Sequence, residues 1–315
     1  MHVLLTSTAV WEEGAMRFSA WFAAESNPWD EILEEARFCE KIGYEGVWIA
    51  DHFMRPGEDD YGPWVECWTT LAALAALVPR VRVGSIVTGN TFRNPAILAK
   101  QVAQVDVISG GRVVLGIGAA WQEREHNAFG IPFPTIGGRH RMLTESVQIL
   151  RSLFDGKRTD FDGKYYTMRD AFLSPRPVQE HLPILIGGGG EKVMLGIVAR
   201  YADAWNIGGT PEMLAQKSKV LDEHCERVGR DPDSIWRTGT ANVIISDDAA
   251  EVAEARSRRG WNIIGNAREV TEEVAKYIDA KVSEVILLNH GWGTEKEAHK
   301  ERFQRFIEDV APAFR

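Results

Sequence analysis

Five short apolar runs rich in β-branched residues each end in glycine or small polar residues and hand over to a helical pattern. They are Gly46–His52 (GVWIADH), Val81–Asn90 (VRVGSIVTGN), Arg112–Trp121 (RVVLGIGAAW), Leu182–Gly190 (LPILIGGGG) and Ala202–Gly209 (ADAWNIGG). Continuous apolar strands alternating with amphipathic helices require a parallel sheet covered on both faces. Further strands at Arg17–Phe22, within Ile235–Ser246 and at Glu284–Asn289 bring the βα units to eight. Eight units close into a barrel, whereas a doubly wound sheet usually has fewer strands and a switch point. The expected fold is therefore α/β, a (β/α)8 TIM barrel with insertions. In that fold ligands sit at the carboxyl ends of the strands, where these glycines fall.

A chain of 315 residues with 44% apolar content fills one such barrel, so a single domain is expected over residues 16–315, behind an extension over residues 1–15. Met1–Ala15 lacks the basic start and long apolar middle of a secretion signal. A net charge of −9 without a lysine or arginine block argues against nucleic acid or an anionic membrane as partner. The longest apolar stretch, Thr69–Val78, is of helix-core length and too short for a bilayer. Cys39, Cys67 and Cys225 lie far apart, which suggests neither a disulfide framework nor a zinc site and fits a reducing cytoplasm.

Helices are expected over Trp29–Tyr44, with acids in the first turn and Gly43 closing it, then over Val65–Leu77 and Pro95–Ser109. Others follow through Arg139–Phe154, Glu191–Arg200, Pro211–Val228 and Thr271–Lys281, with a last one after strand eight. Two segments break the rhythm. Asp155–Leu182 carries a β-like FDGKYYTM and a proline-rich SPRPV, an excursion between units four and five. A second irregular segment is expected near Gly260–Asn266.

Gly187, Gly188, Gly189 and Gly190 stand between a strand and a helix. Glycines let the backbone approach a phosphate closely, and the helix start offers free N–H groups to it. A bare βα turn needs only one or two glycines, so an anionic group is expected there. Asp51 and His52 end strand two, where a histidine can move protons and an adjacent carboxylate can set its tautomer. Thr88, Gly89 and Asn90 end strand three with small hydrogen-bonding residues suited to a heterocycle or to an ordinary loop. Gly116-Ile117-Gly118 shares two glycines with the dinucleotide fingerprint, but the third glycine and the ribose-reading acid are missing, which excludes a Rossmann site. Those glycines, with Ala119, suit either close approach to a flat ring or strand packing. Glu123, Glu125 and His126 lack the ligand spacing of a metal site and read as helix start, solvated face or one acid lining the pocket. Among Trp48, Trp64, Trp68, Trp121, Trp205 and Trp292, position singles out Trp121 as a wall of the mouth.

The segments DHF (Asp51–Phe53), TGNTFRNPAILAK (Thr88–Lys100), DVISGGRVVLGIGAAWQEREHNAFGIPFP (Asp106–Pro134), LIGGGGEK (Leu185–Lys192) and YADAWNIGGTPE (Tyr201–Glu212) together resemble the luciferase-like monooxygenase superfamily, in its coenzyme F-420-dependent branch. The resemblance implies a barrel that binds a flavin or 5-deazaflavin at the carboxyl ends of the strands. It places Asp51 and His52 at the ring, with His52 as proton donor or acceptor. It makes Val87, Thr88 and Gly89 a bulge behind the ring, where a non-prolyl cis peptide is common, and gives Gly187–Gly190 the phosphate-bearing tail. Trp121 stands where sugar-phosphate-oxidising relatives carry a glutamate, and no basic residues for a substrate phosphate can be matched. An apolar or neutral carbonyl, alcohol or activated alkene is therefore the expected substrate.

The resulting expectation is a cytoplasmic F-420-dependent oxidoreductase, homodimeric by resemblance, that transfers a hydride to or from a small molecule. An FMN-dependent monooxygenase served by a separate flavin reductase is the alternative enzyme. A non-catalytic flavin-binding protein is the alternative of another class.

Overall fold

The computed structural model describes residues 15–21, 27–55, 62–257, 260, 262–288 and 296–315. Ala15 apart, the expected N-terminal extension lies outside these residues, as do Phe22, Asn289 and Trp292.

In chain order the first half comprises β1 (Arg17–Trp21), α1 (Trp29–Ile42), β2 (Gly46–Ile49), α2 (Cys67–Leu77), β3 (Arg82–Ser85), β4 (Thr88–Gly89), α3 (Pro95–Ser109), β5 (Val113–Gly118), α4 (Glu123–Ala128) and α5 (Ile136–Phe154). A hairpin of β6 (Thr159–Asp162) and β7 (Thr167–Ala171) follows. The second half comprises β8 (Ile184–Gly187), α6 (Met194–Tyr201), β9 (Ala204–Gly208), α7 (Pro211–Val228), β10 (Trp236–Ile245), α8 (Ala249–Ser257), β11 (Asn262–Gly265), α9 (Ala267–Asp279), β12 (Glu284–Leu288) and α10 (Lys296–Arg305).

Strands β1, β2, β3, β5, β8, β9, β10 and β12 pair in parallel in that order, and β12 pairs back onto β1 from Arg17↔Glu284 to Trp21↔Leu288. The eight-stranded barrel is closed. Apolar side chains fill it in two layers. Trp48, Val114, Leu185, Ala204, Trp236 and Ile286 meet inside the barrel, and a larger cluster lies between strands and helices. Gly84 is required by the inner layer, because a Cβ there would stand 2.5 Å from the Trp48 ring.

Helix limits follow local chemistry. Asn94 caps α3 by accepting from Ala96 N, and Gly43 and Gly110 close α1 and α3 in the left-handed region, with φ of 107° and 68°. The excursion after α5 is the β6–β7 hairpin. Its return is held by buried Asp106 of α3, whose carboxylate accepts from the backbone N–H groups of Val178 (2.7 Å) and Gln179 (3.1 Å).

Three expectations need correction. Strand three is not continuous over Val81–Thr88: it stops at Ser85, the Ile86–Val87 peptide is cis, and pairing with β5 resumes at Thr88. The segment near Gly260–Asn266 is not irregular, since Asn262–Gly265 pairs in parallel with the upper part of the ten-residue β10. The helix after it begins at Ala267 rather than Thr271, because Asn266 and Glu269 form a reciprocal capping box. Among the described residues no helix is long and apolar enough to cross a membrane.

Candidate active site

A cavity of about 720 Å³ opens over the carboxyl ends of the strands, within the size range of sites for drug-sized and cofactor-sized molecules. Asp51, His52, Val87, Thr88, Gly89, Gly118, Ala119, Trp121, Gly187, Gly188 and Gly189 all line it. Two expected members do not. Asn90 is buried beneath the wall, accepting from Ser146 Oγ at 2.7 Å and donating to the Arg139 carbonyl at 3.4 Å, so it braces α5 against the end of β4. Gly190 lies outside the wall, beside Met194.

His52 is held by an unexpected partner. Its Nδ1 lies 2.8 Å from Glu125 Oε1, and the other oxygen of that carboxylate accepts from Phe53 N at 3.0 Å. A buried carboxylate needs donors, so Nδ1 carries the hydrogen and Nε2 carries the lone pair. Glu125, not Asp51, therefore fixes the His52 tautomer. The ring stands edge-on between Trp64 (6.0 Å) and Trp121 (5.6 Å).

The neighbouring Asp51 is engaged elsewhere. Its carboxylate receives two hydrogen bonds from Arg93, at 2.6 and 3.2 Å, and Arg93 also reaches Glu66. Burial raises the Asp51 pKa from its ordinary value; the charge and hydrogen bonds of Arg93 offset this only in part, and the negative charge of Glu66 adds to the rise. Burial also opposes ionisation of Glu66, but hydrogen bonds from Thr69 and the charge of Arg93 outweigh it and lower its pKa.

The glycines divide between packing and the cavity. A Cβ on Gly116 would stand 1.9 Å from the Ser85 carbonyl oxygen, and one on Gly118 2.8 Å from Val87 Cγ2, so both are demanded by the bulge beside them, while Gly118 also faces the cavity. Gly188 has a φ of 130°, a conformation that favours glycine. Its N–H donates to the Asn206 carbonyl at 3.0 Å, and its own carbonyl accepts from Trp205 Nε1 at 2.9 Å. The turn is thus pinned, yet among the described residues no carbonyl accepts from the amides of Gly189 or Gly190. Those donors suit a phosphate at the turn before α6, which begins only at Met194 rather than at Glu191.

Of the expected tryptophans, Trp64 and Trp121 line the cavity. Trp48 is inside the barrel, Trp68 donates to Thr88 Oγ1 at 3.0 Å, and Trp205 is buried behind the glycine turn. Trp64 Nε1 is buried without a partner among the described residues. His126 is structural: its Nδ1 meets the Gln122 carbonyl and its Nε2 meets Thr91 Oγ1, both at 2.7 Å. Asn206, Thr240, His140 and Lys217, which single-residue inspection missed, also face the cavity. Asn206 Nδ2 donates to Thr238 and Thr240 Oγ1, and Lys217 pairs with Glu191 at 2.7 Å. Among the described residues no group of three or more His, Cys, Asp or Glu is placed to hold a metal ion.

Comparison with known proteins places this arrangement. The profile of the luciferase-like monooxygenase family matches residues 15–311. An F-420-dependent glucose-6-phosphate dehydrogenase from Amycolatopsis mediterranei is 27% identical, over 90% of this chain and 94% of its own. An F-420-dependent hydroxymycolic acid dehydrogenase from Mycobacterium tuberculosis is 26% identical, over 90% of this chain and 78% of its own. The structure of an F-420-dependent secondary alcohol dehydrogenase, in complex with an F-420–acetone adduct, superposes with a TM-score of 0.83 at 22% identity, covering 96% of this chain and 99% of that one. With the profile matching nearly its whole length, the chain belongs to the luciferase-like monooxygenase family.

Proposed function

We propose that the protein is an F-420-dependent oxidoreductase that moves a hydride between the deazaflavin and a small neutral alcohol, carbonyl or activated alkene. The observation that carries this reading is the His52–Glu125 pair, which leaves His52 Nε2 as the reactive nitrogen of a ring in the cavity wall, in a chain whose similar relatives include F-420-dependent dehydrogenases.

The residues present fit such a cofactor. The residues after the cis peptide, Val87–Gly89, and Gly118–Ala119 line the cavity together, and the amides of Gly189 and Gly190, unpaired among the described residues, suit its phosphate. When bound, the deazaflavin supplies a two-electron hydride acceptor or donor. The chain's own part is the proton. His52 Nε2 takes the hydroxyl proton of an alcohol as its carbon is oxidised, or returns it to a carbonyl oxygen in the reverse direction. Glu125 holds the ring so that the same nitrogen faces the reacting oxygen. Trp64 and Trp121 keep the approach apolar. Lys217 lies by the glycine turn, where a Cβ on Gly189 would stand 3.9 Å from its Cε, and it is paired with Glu191.

The test is a parallel fluorescence titration of purified protein with F-420 and with FMN, followed by anaerobic turnover on secondary alcohols and ketones. Tighter binding of F-420 and oxygen-independent turnover are expected. Preference for FMN, with oxygen uptake once a flavin reductase is added, would overturn the reading in favour of a monooxygenase. Tight F-420 binding without turnover on a broad panel would make it a binding protein.

A further inference from the structure

A second groove, of about 430 Å³, lies between α5, α6 and α7 beside the cavity. The two share His140, and their walls run on through the neighbouring pairs Ile136–Gly137 and Val193–Met194. Its polar lining is basic: Arg141, Lys192, Arg200, Arg227, His140 and His224, with no carboxylate among the lining residues. In a chain of net charge −9 that is a local reversal of sign.

Two of these cations have no counter-charge among the described residues. Lys192 and Arg200 have no hydrogen-bond or ion-pair partner among the described residues. Arg141 donates only to Tyr165 Oη, at 3.3 Å, and Arg227 makes a solvent-exposed contact with Glu223 at 3.7 Å. His140 adds little charge, since burial and the adjacent Arg139 lower its pKa. Unpaired cations gathered around a concave surface attract a ligand carrying several negative charges. The groove begins where the phosphate-binding turn ends, because Lys192 follows Gly190 by two residues.

We propose that this groove holds the oligocarboxylate tail that coenzyme F-420 carries beyond its phosphate, and so selects F-420 over FMN, which ends at a phosphate. This rests on the F-420 reading of the adjoining cavity. No cation of the groove is needed for the proton chemistry at His52, and Lys192 and Arg200 are exposed, so neutral replacements leave the fold intact.

The experiment compares wild type with the Lys192→Gln/Arg200→Gln double variant. Dissociation constants are measured by fluorescence for F-420 bearing several glutamyl residues, for the same deazaflavin phosphate with the glutamyl tail removed, and for FMN, each at low and high salt. Loss of two exposed ionic contacts should weaken long-tailed F-420 on the order of tenfold at low salt, with a shallower salt dependence. The tail-less form and FMN should bind both proteins alike. Equal weakening of long-tailed and tail-less forms, or no weakening of either, would overturn the groove's role while leaving F-420 as cofactor. Failure of both deazaflavin forms to bind the wild type would overturn both readings.

Discussion

The two sides of the cavity treat charge in opposite ways. On the side built by the ends of β2, β4 and β5, each ionic group is answered within the protein: Glu125 by His52 and Phe53 N, Asp51 by Arg93, and Arg93 also by Glu66. On the side built by β8, α6 and the facing surface of α5, amides and cations are left open, from Gly189 and Gly190 to Lys192 and Arg200. A group that satisfies itself is held in one geometry before any ligand arrives, which is what proton transfer needs. A group left unsatisfied gains most from a ligand that supplies the missing charge. The closed side suits positioning and the open side suits binding.

The most forceful way to break this contrast is to remove a counter-charge from the closed side. Arg93→Gln leaves Asp51 buried without its cation, and the expected loss of stability is about 3–5 kcal/mol by chemical denaturation. A loss within the range of an ordinary surface substitution would show that the pair does not hold the end of β2.

Glu125→Gln keeps the shape but loses the carboxylate. The expected fall in kcat is about tenfold to a hundredfold, or about 1.4–2.7 kcal/mol in the barrier, with KM and the F-420 dissociation constant unchanged and partial recovery in Glu125→Asp. If KM and cofactor affinity changed as much as kcat, Glu125 would be a general scaffold residue rather than the one that positions His52.

A smaller effect sharpens the comparison away from the mouth. Asp203, just before β9, accepts from Ile184 N and His181 Nε2, each at 2.8 Å, and pairs with Arg151. Burial opposes its ionisation, but the hydrogen bond from His181 and the charge of Arg151 prevail and lower its pKa. A depressed carboxyl contributes stability above its unfolded pKa and loses it as pH falls through the folded value. Asp203→Asn should therefore cost about 1 kcal/mol near neutral pH and flatten the acid limb of the stability profile below the ordinary carboxylate range. A parallel profile, merely displaced, would mean that the charge of Asp203 contributes nothing.

The barrel was legible because each βα unit announces itself locally, by an apolar run, a glycine and a helix signal, and eight such units leave little choice of architecture. The short β11 was not, since Asn262–Gly265 is too brief to show a period and is defined by its pairing with the extended end of β10. Within the site, His52 and the glycine turn could be read from their places at strand ends. The partner of His52 could not be read from sequence adjacency. Asp51 is next in the chain, but successive side chains at the end of a strand diverge, and Asp51 turns to Arg93 while Glu125 reaches across from α4, 73 positions away. The basic groove was hidden for the same reason, because Arg141, Arg200 and Arg227 come from three helices and Lys192 from the turn before α6, far apart in sequence.

The most direct test of hydride transfer with His52 as the proton carrier is anaerobic turnover by His52→Ala, with cofactor affinity measured on the same sample. The predicted result is an F-420 dissociation constant close to that of the wild type and a kcat lower by about 10²–10⁴. An unchanged kcat with the cofactor bound would contradict the assignment and place the proton on another group.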